Sequence, residues 1–399
     1  MKKWISGWGY RETDFSLFPI VVEDETQRLL FYNNLNSSQV RLRFSNRYGR
    51  HPLPIEHAAI ALAREDGSVF AESTVNLTFD GKSTTILQPG ETKYCDVCDF
   101  PASAGTWIAV SIYIKERVSI TSAVSSQSDF VTRIKIAKGG DFCWAEDFKD
   151  CGLAERAKDF LELKPLYTVI CCGVNQVEFM VEEPIRTVVV FGDSITQQGH
   201  WSESLTRRLY EAAPGKVAVV NRGICGNRVL HDASIRQVFG GYFGEGALER
   251  FEEDVFKSPG NPIDVVIVQE GINDILQPLN QSCPQYEKVS AQQMTEGYKT
   301  LASIAKKHGA VIFGCTLMPF NGFQDVWSPE SEKMRTAINE TLLSWDIFDG
   351  VFDYASVVCD PGDPTKLAPD YNCGDGLHPN KNGGLAIAET VDIGRILDC

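Results

Sequence analysis

The alternation of apolar and polar positions changes character near the middle of the chain. In the first half it runs at the period of a strand. Gln39–Ser45 places Val40, Leu42 and Phe44 on one face and Arg41 and Arg43 on the other, which predicts a half-buried strand. Similar runs predict strands near 58–63, 75–79, 84–87, 107–114, 130–136, 167–172 and 176–181. Asp80-Gly81, Pro89-Gly90 and Gly139-Gly140 separate several of them, as turn-forming pairs should. Residues 155–163 read as one short helix. So many short strands with so little helix predict a β-sandwich or jelly roll over residues 1–183.

From Thr187 the period switches to strand, helix, strand, helix. Short apolar strands are predicted near 187–191, 217–220, 264–269, 311–315 and 350–353. Helices are predicted near 200–212, 245–256, 290–307, 330–345 and 380–396. In the third of these, Met294, Tyr298, Leu301 and Ala305 recur at helical spacing and read as core. The pattern predicts a three-layer α/β/α, flavodoxin-like domain over residues 184–399, with a five-stranded parallel sheet. Glu182-Glu183-Pro184 marks the junction.

Four segments of this second half carry chemistry, each at a strand end or a helix entrance, where open α/β sheets bind ligands. They are Gly192-Asp193-Ser194, Asn221-Arg-Gly-Ile-Cys-Gly226-Asn227, Gly271-Ile-Asn273-Asp274, and Asp375-Gly-Leu-His378-Pro379. A serine hydroxyl needs a base to take its proton during attack. The imidazole of His378 titrates near neutrality and can serve. Asp375, three residues earlier, can hold its tautomer. The Ser194 and Gly226 backbone N–H groups and the Asn273 carboxamide are candidate donors to an oxyanion. Asp193, Asn227 and Asp274 read as turn and bracing residues, and Cys225 as a small thiol packing its loop.

Taken in order, the four segments resemble the SGNH hydrolases of the GDSL esterase/lipase superfamily, and the resemblance covers roughly residues 184–399. It implies a Ser194, His378, Asp375 triad and an oxyanion hole of Ser194, Gly226 and Asn273. The whole chain is similar to two-domain bacterial GDSL esterases with an N-terminal β-sandwich, through Val40–Gly49 and Asn76–Gly81. Gly-x-Ser-x-Gly is absent and the Asp-x-x-His spacing is short, which points away from the α/β-hydrolase arrangement.

Composition narrows the partners. A net charge of −15 with no basic patch argues against nucleic acid. No apolar run reaches the roughly 18 residues of a membrane span, so no membrane insertion is expected. No secretory h-region follows Lys2-Lys3, and a cytoplasmic location is the expectation, with secretion of a processed form left open. Twelve cysteines are spread through the chain and read as free thiols. Cys95-x-x-Cys98 has metal or redox spacing with no second pair to complete a zinc site, and Cys359 and Cys373 bracket the loop before Asp375, a pair that only an oxidising compartment would join. No metal and no cofactor is expected.

The substrate expectation is a small-molecule or oligosaccharide acyl ester, short-chain, with acetylated carbohydrate favoured. Trp201 and Trp327, with Phe320 and Phe323, are candidates to stack on a sugar ring, and His200 and His231 lie near the four segments. The alternatives are a lysophospholipase or thioesterase with the same centre, and a glycan-binding protein that does not hydrolyse.

Overall fold

In the computed structural model, which describes residues 2–153, 169–233, 240–344 and 346–398, the strand periodicity of the first half becomes two antiparallel five-stranded sheets and three smaller ones. The chain divides into two compact units, Met1–Ile185 with Tyr210–Val220, and Arg186–Leu209 with Asn221–Cys399. The helix expected at 155–163 lies outside the described residues.

In the first sheet Ser37–Ser45 is central, paired with Gly173–Val181 on one side and with Thr92–Tyr94 and Cys98–Ala102 on the other. Val40, Leu42 and Phe44 are fully buried, as their alternation requires. The second sheet runs Thr132–Lys138, Glu25–Asn33, Thr106–Ile114, His57–Ala63, Val75–Asn76. Inner faces meet through rings: Phe31 of the second sheet lies 5.8 Å from Trp8 and 6.4 Å from Phe179 of the first. This is a sandwich core.

Glu25–Asn33 has no counterpart among the expected strands, and the reason is physical. Thr26, Gln27 and Arg28 are all buried, so the polar residues do not mark a solvent face. Arg28 donates to Ser111 Oγ at 3.0 Å and to the carbonyls of Phe142, Ala145 and Glu146 at 3.2, 2.6 and 3.1 Å. Conversely, the strand expected at 75–79 is only Val75–Asn76.

The main sheet of the second half has strands β1 (Arg186–Gly192), β2 (Val217–Gly223), β3 (Val265–Gln269), β4 (Val311–Cys315) and β5 (Gly350–Phe352) in the order β2-β1-β3-β4-β5, and Cys359–Asp360 pairs with Asp363–Leu367 in a small antiparallel one. Pairing of β1 with β3, β3 with β4 and β4 with β5 is parallel. Every residue from Val265 to Val268 is buried, odd and even alike. Both faces are therefore covered, as in a three-layer α/β/α fold. The helices include α1 (Ser194–Gln197), α2 (His200–Ala212), α3 (Ala247–Glu252), α4 (Ile272–Leu279), α5 (Ala291–Lys307), α6 (Pro329–Ser344) and α7 (Lys381–Thr390).

Two differences from expectation matter. Helix α4 is not among the expected helices; every residue from Ile272 to Pro278 is buried, Asn273, Asp274 and Gln277 included. The single helix expected at 380–396 is two, α7 and Gly394–Leu397, because Val391 takes extended backbone at φ −71°, ψ 118°. The order β2-β1-β3 reverses chain direction across the sheet at β1. Ligands bind beyond the carboxyl ends of strands at such a switch point.

Candidate active site

Strand β1 ends at Gly192, Asp193 caps the next helix, and Ser194 is its first residue. The cap follows from chemistry: Asp193 Oδ1 accepts the Ile195 N–H at 2.9 Å, satisfying a helix-start donor that would otherwise be orphaned. Ser194 Oγ lies 2.8 Å from His378 Nε2, and His378 Nδ1 lies 2.6 Å from Asp375 Oδ2. An ionised carboxylate can only accept, so Nδ1 donates to Asp375 and Nε2 is left to accept from the serine.

The 372–380 loop is braced to hold this geometry. Asp375 Oδ1 accepts the backbone N–H groups of Leu377 and His378, both at 2.9 Å. Asn372 Oδ1 accepts from Gly374 and Gly376 at 2.7 and 3.1 Å, and Asn380 caps α7 through the Gly383 N–H. Burial alone would raise the Asp375 pKa. The His378 hydrogen bond and charge, with the two backbone donors, outweigh it and hold the carboxyl well below the ordinary range. Asp375 therefore stays charged wherever His378 can act as a base.

The candidate oxyanion donors sit on three segments, and α4, which carries Asn273, is tied to the one that carries Gly226. Asn273 Nδ2 donates to Asn227 O at 3.0 Å, Gln277 Nε2 donates to Gly226 O at 2.5 Å, and Asp274 accepts the N–H groups of Val229 and Leu230 at 2.7 and 3.1 Å. Asn273 keeps a second amide N–H for another acceptor. Gly226 has φ +71°, and a Cβ there would meet Phe243 at 1.9 Å, so glycine alone fits. Among the described residues the Ser194 and Gly226 N–H groups meet no protein acceptor. Such an array can hydrogen-bond an oxygen that becomes charged.

Beneath it lies a buried charge cluster. Arg250 on α3 donates to the carbonyls of Gly192 and Arg222 at 2.9 and 2.8 Å and to Asn227 Oδ1 at 2.8 Å. It pairs with Asp254 at 3.0 Å and approaches Glu270 at 3.6 Å. Asp193, Asp254, Glu270 and Asp274 are each buried to 1% exposure or less, so carboxylates outnumber the guanidinium. Burial, reinforced by the Asp193 charge, raises the Glu270 pKa far above the usual carboxylate range. Burial likewise raises Asp193, and Asp274 is pushed up to about 6. Sequence reasoning missed Arg250 and Gln277. Neither lies in a chemistry-bearing segment, and a helical arginine ordinarily reads as surface.

The structure overturns part of the expected aromatic platform. Trp201 and Phe320 are completely buried. Trp201 packs in the core with its ring 5.3 Å from Tyr354, so it is no surface for a sugar. Phe323 and Trp327 are partly exposed. Phe323 stands edge-on to the His378 ring at 6.3 Å, and the Trp327 indole donates to Glu332 at 3.4 Å. His231 is part-buried, and burial with the Arg228 charge lowers its pKa. His200 begins α2. The Cys225 N–H donates to Gln197 Oε1 at 2.9 Å, which fixes that loop. Cys95, Cys98, Cys359 and Cys373 carry no disulfide.

A GDSL-like lipase/acylhydrolase family model matches residues 190–384. Solved structures are similar in fold at low identity. A GDSL-like lipase from Bacteroides thetaiotaomicron VPI-5482 is 21% identical, over 55% of this chain and 92% of that one, with a TM-score of 0.38. A variant of an acetyl xylan esterase from Geobacillus stearothermophilus is 19% identical, over 54% and 95%, at 0.39. A second acetyl xylan esterase, AlAXEase, is 19% identical, over 51% and 96%, at 0.38. No curated protein matches the chain.

Proposed function

Since residues 190–384 are a GDSL-like lipase/acylhydrolase domain of an ester-hydrolysing enzyme, we propose that it works as a serine esterase on short-chain acyl esters, with acetylated carbohydrate as the substrate class. We take 184–399 as the catalytic domain. Ser194 Oγ attacks the ester carbonyl while His378 Nε2 takes its proton, and Asp375 stabilises the imidazolium so formed. The tetrahedral oxyanion is held by the Ser194 and Gly226 N–H groups and the Asn273 amide. Collapse expels the alcohol, protonated by His378, and leaves an acyl-enzyme. Water attacks that ester by the same route, and acid is released.

The observation that carries this reading is the continuous chain Ser194–His378–Asp375, with contacts of 2.8 and 2.6 Å. The acyl and alcohol preferences rest on the partly exposed rings of Phe323, beside His378, and of Trp327, which offer ring surface of the kind sugars stack on. A series of aryl esters of increasing acyl length, together with acetate release from acetylated oligosaccharides, tests it. We expect kcat/KM to be highest from acetyl to butyryl and to fall by octanoyl. A rise out to octanoyl with no acetate released would replace the carbohydrate reading with a lysophospholipase or thioesterase.

A further inference from the structure

Cys373 has no part in the chemistry above, yet it stands beside it. Its backbone N–H donates to His378 O at 3.0 Å, so the loop folds back and brings positions 373 and 378 together. The Cys373 Sγ, an Asp375 carboxylate oxygen and a His378 ring nitrogen all lie within 4.8 Å of one another. Cys373 is exposed, whereas Asp375 and His378 are partly buried.

We infer that Cys373, Asp375 and His378 form an inhibitory site for a borderline or soft divalent cation such as Zn²⁺. A thiolate, an imidazole and a carboxylate are a ligand set that zinc accepts, with water in the fourth position. Zinc bonds of about 2.3 Å to sulfur and about 2.0 Å to nitrogen place tetrahedral ligand atoms roughly 3.5 Å apart. The triad already holds nitrogen and oxygen closer than that. His378 Nδ1 and Asp375 Oδ2, 2.6 Å apart, have to open by somewhat less than an ångström, and the exposed Cys373 side chain has to swing in by about an ångström. All three ligands come from six residues of one braced loop, so little ordering is left for the metal to impose.

The consequence for the reaction follows from proton positions, and it rests on the triad reading given above. In the resting site the imidazole carries its proton on Nδ1, toward Asp375. A cation on Nδ1 takes that place, and the proton moves to Nε2. The cysteine loses its own proton to solvent as the metal–sulfur bond forms, so one proton is released per metal bound. The ring stays neutral, but Nε2–H can only donate to Ser194 and can no longer accept from it. The base is switched off without any change at the serine.

The test is to titrate Zn²⁺ against ester hydrolysis, and Co²⁺ against thiolate-to-metal absorption, in the full-length wild type, Cys373→Ser and Ser194→Ala. Wild type should be inhibited, with activity restored by a chelator. Cys373→Ser should keep basal activity and need about tenfold more zinc or higher for the same inhibition. Ser194→Ala, though inactive, should still develop the thiolate–cobalt band, and Cys373→Ser should lack it. Equal zinc sensitivity in wild type and Cys373→Ser overturns the inference, as does a cobalt band that survives Cys373→Ser. If wild type hydrolyses no ester, the esterase reading fails, and the cobalt band alone still decides the metal site.

Discussion

Arg28 in the β-sandwich and Arg250 in the α/β unit are both buried, at 0% and 1% exposure, but they keep different company. Arg28 meets neutral acceptors, the Ser111 hydroxyl and the carbonyls of a loop near residues 142–146, and stacks 4.5 Å from the Phe148 ring. Burial lowers its pKa. Arg250 meets Asp254, Glu270, Asn227 and the carbonyls of Gly192 and Arg222. A guanidinium offers five donors in a rigid fork, and in each unit it is used to tie distant segments together. What differs is what the tied segments carry. Around Arg28 they carry a fold; around Arg250 they carry Ser194, Gly226 and Asn273.

If chemistry is confined to the second unit in this way, the sharpest break is at the nucleophile. Ser194→Ala should lower kcat by about 10⁴-fold or more, as loss of a triad member does, while leaving thermal stability near that of wild type. A serine-directed phosphonate should label Ser194 in wild type and nothing in the variant. Labelling elsewhere, or near-normal turnover in the variant, would remove Ser194 from the reaction.

The next largest effect belongs to the oxyanion donors. Asn273→Ala should lower kcat by roughly 10²–10³ with KM little changed, because the bond strengthens only as charge develops. A rise in KM alone would make Asn273 a substrate-binding residue instead.

The sequence exposes these residues because each stands at a strand end in a segment with little other reason for its composition. It conceals Arg250, Gln277 and Cys373 because their roles arise only when loops close. The Gln277 bond to Gly226 O spans 51 positions, and Cys373 meets His378 only through a turn. The strand Glu25–Asn33 is concealed for a related reason: buried Gln27 and Arg28 erase the polar-out alternation that would reveal it. The inward turn of Trp201 is concealed because position near a catalytic segment does not say which way a helix faces. Packing against Tyr354 turns it inward.

The comparison of the two arginines can be tested directly. Removing either one leaves buried acceptors or carboxylates without a partner, which costs about 3–5 kcal/mol at Arg250 and about 1–3 kcal/mol for each acceptor left unsatisfied at Arg28. Arg28→Met should therefore lower the unfolding midpoint in denaturant and leave kcat of the remaining folded enzyme unchanged. Arg250→Lys keeps the charge but loses the fork, and should lower kcat by about tenfold, with KM unchanged. If Arg28→Met moved kcat as far as Arg250→Lys does, the division of labour between the two units would be wrong.

The smallest expected effect lies in the pH dependence of stability. Glu270, Asp193 and Asp274 all have pKa values raised in the folded protein, with burial as the leading cause. An unfolded carboxyl titrates near 4, so between that pH and the raised folded values the folded state holds more protons. Stability from this source is complete below about pH 4 and is lost as pH rises through the folded pKa values, near 6 for Asp274 and well above the usual carboxylate range for Glu270. Glu270→Gln keeps the shape of a neutral Glu270 and removes its titration. Its melting temperature should match wild type near pH 4 and exceed it by pH 8, with a shallower slope between. Asp193 and Asp274 should leave some slope in place. A parallel pair of Tm-against-pH curves would show that Glu270 is not protonated in the folded protein, and that the carboxylates beneath the site share their charge with Arg250 in some other way.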